Sequence, residues 1–421
     1  MKSFLRLVPI LAQAPMAAMV LYLDALSLAA LLWHRAPAPE PPRLCFAVLV
    51  PAHDEELLLP RLLRSLDKLD YPRPLYHVHV VADNCGDNTA AVAEAGGATV
   101  HVRCDERLRG KGYALRFLLA ALREEEERYD AYVVLDADST VSPNFLDVMN
   151  THLMRGDAVV QAYYGVLNHD ESWPAMLRYV AFALFNGLRP RGRDALGLSA
   201  GLRGNGMCFA TPVLARFGWE AFTLAEDAEF HLQLVEAGLK VSYAPEATVL
   251  AEMPVSLRHS RSQNVRWERG RLQMLRRFGP RLLAEGLRRR DPVRLDAVAE
   301  QLVPPLSLLT GFATLAYALT ALLRVRGARR LAAAVLLGQA LYVVTGLRLV
   351  KAGPRAYAAL LLSPPYVAWK IAVYIAAATG IQDSRWVRTI RAHAPVERDR
   401  GASGAAPRGR TWKFNRILTR F

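Results

Sequence analysis

Asp136 and Asp138 stand one alanine apart, at the end of the apolar run 133–135. Two like charges so close repel, and each raises the other's pKa unless a cation lies between them. On an extended segment that turns at Ala137, both carboxylates point the same way. A strand-ending turn gives the same local pattern, because Asp, Ser and Pro are common there. The elements that position the pair must separate the two readings.

Those elements alternate. Residues 44–66 read as a buried strand, a turn at Pro51 and a helix with apolar residues at helical spacing. The stretch 76–97 repeats the plan, 98–104 is a third strand, 111–127 a helix and 131–138 a fourth strand. Strands alternating with helices give an α/β domain with a mostly parallel sheet, whose ligands sit at the C-terminal ends of the strands. His53-Asp54-Glu55, Asp83-Asn84 and Asp136/Asp138 all fall at such ends. Turn preference alone does not explain three strands delivering acids to one edge. The sequence lacks G-x-G-x-x-G after the first strand, which argues against hydride chemistry, and lacks the P-loop pattern. Lys111 stands between two glycines at a helix start, a setting that suits a diphosphate, although a solvated lysine is the commoner outcome.

Apolar residues gather at the N-terminus and beyond residue 300. The net charge of +14 is mostly arginine, concentrated after residue 255 beside apolar segments. Without zinc-finger spacing or an RNA-binding aromatic motif, this placement excludes nucleic acid as partner and favours anionic lipid. The four cysteines show no metal spacing and read as reduced, cytosol-facing residues. Residues 8–33 are long enough to span a bilayer as an uncleaved anchor, with Asp24 expected to face another helix. Segments 302–323, 331–350 and 356–379 follow, the last broken by the prolines of 363–366. The tail from Arg385 carries ten Arg or Lys and should be cytoplasmic. With a cytoplasmic catalytic domain, the C-terminal part then crosses an even number of times. Residues 363–380 are the first candidate for a re-entrant or interfacial segment, which leaves the arginine-rich loop 324–330 facing outward. Making 302–323 the non-spanning segment removes that conflict.

Seven motifs stand in order: "PAHDEE" (51–56), "ADNCGDNT" (82–89), "GKGYAL" (110–115), "DADS" (136–139), "GNGMCF" (204–209), "AEDAEF" (225–230) and "QNVRW" (263–267). Together they resemble the membrane-bound family 2 glycosyltransferases, the group of the cellulose, chitin-oligosaccharide, hyaluronan and poly-N-acetylglucosamine synthases. The resemblance covers about residues 43–270 and implies a nucleotide-diphospho-sugar transferase (GT-A) fold flanked by transmembrane helices. It further implies that Asp83 contacts the nucleotide base and that Pro51, Ala52 and Glu55 hold base and ribose. Asp136 and Asp138 would hold Mg²⁺ or Mn²⁺ against the diphosphate, with Asp138 the more direct ligand, and Lys111 would assist. Asp227 would be the general base, and Gln263, Arg266 and Trp267 would cap the diphosphate and border the acceptor site. Asp54, where the family usually has Asn, and Asn84, where many members have Asp, depart from the pattern.

The implied function is inverting transfer from a nucleotide-diphosphate sugar, UDP being the expected nucleotide, to a growing polysaccharide at the cytoplasmic face of a bacterial inner or plasma membrane. A single-addition enzyme acting on a lipid acceptor, and an inactive scaffold of a polysaccharide secretion complex, are the alternatives; the intact metal pair, base and arginine argue against the scaffold. The expected organisation is an anchor (1–42), a glycosyltransferase domain (43–255), amphipathic interface helices (256–301), a transmembrane region (302–380) and a basic tail (381–421). Simpler roles accompany several residues. Glu226 and Asp227 suit the first turn of an exposed helix, Trp267 can serve packing, and His231 reads as packed or solvated rather than as a ligand. Most of Arg258, Arg261, Arg269, Arg271, Arg276 and Arg277 are expected against lipid headgroups.

Overall fold

The computed structural model describes residues 2–33, 38–124 and 128–379. The basic tail, and the centre of the acidic run at 124–127, lie outside the described residues.

A long helix α1 (Lys2–Leu31) precedes the alternating unit: β1 (Phe46–Ala52), α2 (Leu59–Leu66), β2 (Tyr76–Asp83), α3 (Thr89–Ala95), β3 (Thr99–Arg103), α4 (Lys111–Glu124) and β4 (Ala131–Val134). The chain continues through β5 (Ser139–Val141), α5 (Phe145–Met154), β6 (Val159–Val166), α6 (Trp173–Phe182), a π-helical turn (Ala183–Leu188), α7 (Arg189–Ala195), β7 (Met207–Ala210), α8 (Thr211–Phe217), α9 (Glu226–Glu236) and β8 (Ser242–Ala251). The eight strands form one sheet in the order β3-β2-β1-β4-β7-β6-β8-β5. Strands β3, β2, β1 and β4 are mutually parallel, as their alternation with helices predicts. β7 runs antiparallel to both β4 and β6, so the sheet is mixed in its second half. Helices cover both faces, which is why β1 reads as a continuous apolar run. One face packs Leu59, Leu62, Leu63 and Leu66 of α2; the other packs Leu115, Leu118, Leu119 and Leu122 of α4.

Beyond the sheet lie α10 (Leu257–Arg289), α11 (Pro292–Leu302), α12 (Leu306–Leu322), α13 (Arg326–Leu349), α14 (Pro354–Ala359) and α15 (Ser363–Thr379). Three helical stretches are long and apolar enough to cross a membrane: Val8–Leu31, Arg326–Leu349 and Pro354–Ala376. The 17 residues of α12 reach that test only together with α11, from which they are bent by 66°. α1 and α13 pack in parallel: Gly327 faces Ile10 and Gly338 faces Val20 and Asp24, while Gly346 faces Leu184 and Leu188 of the sheet-bearing unit. Asp24 thus faces another helix, in the space left by a missing side chain; a Cβ at Gly338 would stand 2.6 Å from its Oδ2. In the last segment α14 gives way, through a 3₁₀ turn at Leu360–Leu362, to α15 just before the prolines at 364 and 365. They occupy the first turn of α15, where a helix has no use for their missing N–H groups.

Of the six arginines expected at lipid headgroups, Arg258, Arg261, Arg276 and Arg277 are exposed. Arg271 turns onto a protein acid, Glu268, and the exposed Arg277 also pairs with Glu229. The four cysteines are free thiols.

Candidate active site

β1 ends at Ala52, β2 at Asp83, and Asp136 and Asp138 follow β4, so three parallel strands bring their C-terminal residues to one edge. The loops there are bent by left-handed residues. Asp54 (φ 54°) and Asn84 (φ 52°) are two of the few non-glycine residues with positive φ. Asn and Asp are the side chains best tolerated there, so both departures from the family pattern keep the local backbone requirement. His53 Nδ1 lies 2.7 Å from the Asp83 carbonyl oxygen and ties the two loops together. Asp83 is buried and accepts from Arg103 at 2.5 Å and from Asn84 at 3.0 Å.

Lys111, at the start of α4, donates to Asp136 Oδ1 at 2.5 Å and to the Gly204 carbonyl. It also faces Glu226 at 4.0 Å. Part of the neutralisation that the Asp136/Asp138 pair requires is therefore supplied by a protein cation. Asp138 is buried. Beside it, Arg61 links the Asp138 carbonyl oxygen to Glu252, whose other oxygen, Oε1, is buried without a hydrogen-bond partner. The two carboxylates of the pair are hard oxygen donors of the kind that suits Mg²⁺ or Mn²⁺. Among the described residues, three potential metal ligands within 4.8 Å of one another occur at Asp54, Cys85 and Asp87, on the first two loops rather than at the Asp136/Asp138 pair.

Asp227 sits in the first turn of α9 and accepts from its neighbour's backbone, Ala228 N–H, at 2.8 Å. Gly204 makes room for it. This residue has φ 80°, and a Cβ there would stand 3.2 Å from Asp227 Oδ2. Burial raises the Asp227 carboxyl, and burial together with the Asp227 charge pushes Glu226 up to about 7, against the opposing pull of Lys111. Glu229, one turn on, is structural: it accepts from Phe222 and Thr223 N–H and pairs with Arg277. His231 is packed, with Nε2 2.9 Å from Ser199 Oγ, and burial lowers it to about 4.

Gln263, Arg266 and Trp267 lie on α10. Gln263 accepts from Arg178 at 2.6 Å, and Trp267 meets Phe182 edge-on at 6.2 Å with the Arg178 guanidinium 5.6 Å from its ring centre. A single cavity of about 890 Å³ is lined by Pro51, Ala52, Glu55, Asp83, Lys111, Asp136, Asp138, Asp227, Gln263, Arg266 and Trp267. Every residue given a donor, metal, base or acceptor role from the sequence therefore lines one space. The same wall includes Arg178, Phe182, Phe185, Arg189, Arg203 and Glu252, which sequence reasoning missed. Nothing local marks them; 173–195 reads as an apolar helix with scattered arginines.

The Glycosyltransferase like family 2 model matches residues 41–270, over half of the chain. The chain belongs to this family, and its sheet, with acids at the C-terminal edge of the parallel strands, is the GT-A-like fold. It is 24% identical over 241 residues to the probable glycosyltransferase YdaM of Bacillus subtilis, covering 55% of this chain and 56% of that one. It is 27% identical over 240 residues to a beta-monoglucosyldiacylglycerol synthase of Trichormus variabilis, covering 54% and 49%. The chain spans about half the length of these relatives. The solved mannosyltransferase PcManGT of Pyrobaculum calidifontis, in complex with GDP-Man and Mn²⁺, aligns with a TM-score of 0.49 at 20% identity, covering 86% of this chain and 98% of that one.

Proposed function

We propose that this protein is an inverting glycosyltransferase that moves a sugar from a nucleotide-diphosphate sugar, UDP-linked by resemblance, to an acceptor hydroxyl at the cytoplasmic membrane face. One observation carries the reading: the acidic pair, the α9 acid and the α10 Gln-Arg-Trp group line a single cavity although 136 and 267 are far apart in sequence. Pro51, Ala52, Glu55 and Asp83 would hold the nucleoside, and Lys111 and Arg266 would meet the diphosphate. Asp136 and Asp138 would hold a divalent cation, which supplies charge neutralisation to the diphosphate when bound. Asp227 takes the acceptor proton as the hydroxyl oxygen attacks the anomeric carbon. Its burial keeps the carboxylate basic enough for that task. Attack from the face opposite the leaving group inverts the carbon, and Arg266 stabilises charge on the departing nucleoside diphosphate.

The resemblance of the Q-x-x-R-W motif favours a polysaccharide product, bordered at the acceptor side by Gln263 and Trp267. A glycolipid product is the second reading. The observation favouring it is that the cavity wall continues along α12, α13 and α15, whereas few helices are available to enclose a polymer.

For the membrane, packing supports α1 as an anchor and α12–α13 as a hairpin that leaves the sheet-bearing unit and returns. α15 then lies along α10: Val265 packs with Val373 and Ala376, and Lys370 bonds Asn264 and Glu268. On this packing we read α15 as interfacial, so that the C-terminal region crosses an even number of times and the arginine-rich loop 324–330 lies on the outer side.

Purified protein in lipid, screened against nucleotide sugars for nucleoside diphosphate release with mass spectrometry of the product, tests the activity. No release with any donor overturns it.

A further inference from the structure

Residues 173–195 form one unbroken helix, α6 and α7 joined through the π-helical turn. Such turns inside a helix frequently sit at functional sites, because they re-aim the side chains that follow. Here Arg178, Phe182, Phe185 and Arg189, spaced four, three and four residues apart, all line the cavity. They extend about 16 Å along it.

Both end arginines are buried, Arg178 at 5% exposure and Arg189 at 6%. Arg178 donates to Gln263 and lies over Trp267. Arg189 donates through Nε to the Tyr342 hydroxyl of α13 at 2.8 Å and lies over Phe185 and Tyr342. Arg203 covers Phe185 as well, 4.1 Å from its centre. Among the described residues neither Arg178 nor Arg189 has a carboxylate within 4.0 Å, whereas Arg193, one turn after Arg189, pairs with Asp296 at 3.0 Å and Glu300 at 2.5 Å. A buried guanidinium with no counter-charge is costly, and an anion in the cavity offsets that cost.

Arg189 touches α13 rather than the strand edge, so it belongs to the membrane end of the cavity. There the wall is apolar, with Leu306 of α12, Leu336 and Val343 of α13 and Val367 of α15. One of its polar groups has a vacant donor. Gln339, 4% exposed, accepts from Thr310 at 2.7 Å, and its Nε2 is buried without a hydrogen-bond partner.

We infer that the acceptor is a hydroxyl-bearing anionic lipid, with its phosphodiester or diphosphate on Arg178 and Arg189, its apolar chain between α12, α13 and α15, and its hydroxyl toward Asp227. For the fate of the hydroxyl this rests on the glycosyl transfer proposed above in its second, glycolipid reading; for lipid binding it does not. The hydroxyl proton passes to Asp227, the acceptor oxygen bonds to the anomeric carbon, and the carbon–oxygen bond to the diphosphate breaks with its electron pair on the nucleoside diphosphate. A glycerophospholipid headgroup and a prenyl-diphosphate-linked sugar share this chemistry.

The test uses the full chain in detergent micelles with three probes: phosphatidylglycerol, a prenyl-diphosphate-linked N-acetylglucosamine, and neutral diacylglycerol. Native mass spectrometry reads lipid retention, and product analysis with added donors reads transfer. Wild type should retain an anionic probe over diacylglycerol, and the probe retained names the lipid source. Arg178→Gln and Arg189→Gln should weaken retention roughly ten- to hundredfold and raise acceptor KM more than they lower kcat. Arg178→Lys and Arg189→Lys should recover part of it, and Arg64→Gln, on the exposed surface of α2, should change nothing. Equal retention of all three probes, retention of none, or unaltered retention in both Gln variants overturns the lipid site. Failure of nucleoside diphosphate release with every donor overturns the transfer reading instead, and retention is then still decided by the same spectra.

Discussion

The Lys111 ammonium lies 2.5 Å from Asp136 Oδ1, so a lysine on α4 holds one member of the acidic pair that follows β4. A cation there competes with any metal for the same carboxylate. Lys111→Ala should therefore shift the Mn²⁺ half-saturation of turnover to lower concentration, on the order of tenfold, while maximal turnover falls because the diphosphate loses a contact. A metal titration identical to wild type would remove the competition from this account.

Asp138 is buried beside Glu252 and Arg61. Asp138→Ala should abolish turnover and weaken donor binding together. Chelator should do the same to wild type, with Mg²⁺ or Mn²⁺ restoring activity. Undiminished turnover in chelator would end the metal assignment.

Asp227→Asn keeps shape but cannot accept a proton. Donor binding by calorimetry should be preserved while transfer drops about 10²- to 10⁴-fold. Arg266→Ala should lower binding and transfer together, because its charge acts on the diphosphate. Normal turnover of Asp227→Asn would leave Asp227 as a helix-start acid, and the base would have to be another carboxylate of the cavity.

The pH profile follows from the same pair. Burial raises both carboxyls, Glu226 to about 7. A base works only when ionised, so kcat/KM should rise with pH as the pair loses its protons, the limb reporting the pair rather than either residue. Glu226→Gln removes a neighbouring negative charge, which lowers the Asp227 pKa and should move the limb to lower pH. A limb that stays put would separate Glu226 from the base.

α13 runs parallel to α1, with Gly327 beside Ile10 near the start of α1 and Gly338 beside Asp24 further on, so its two ends lie at opposite ends of the bundle. A reporter fused after Phe421 should score cytoplasmic, and one inserted after Val325 should score on the opposite side. Both on one side would mean that the α12–α13 hairpin does not cross.

How much of this was legible in the sequence follows from the range of the interactions. Strand–helix alternation is local, and a parallel sheet built from it puts successive loops at one edge; the grouping of His53, Asp83 and Asp138 was readable for that reason. Hydropathy over twenty residues likewise marked the apolar helices, though not that α15 packs along α10, about a hundred residues away. The left-handed Asp54 and Asn84 were visible only as departures from a motif, because φ is set by the loop as folded. Contacts between distant positions were out of reach. Lys111 on Asp136, Gly204 against Asp227, and Arg189 against Tyr342 depend on how elements cross and where each side chain points, and neither is encoded by a local period. Most of all, a buried arginine without a carboxylate cannot be told from a paired one in sequence. Arg189 and Arg193 stand four residues apart on one helix, and only the packing of α11 against that helix gives Arg193 its acids and leaves Arg189 facing the cavity.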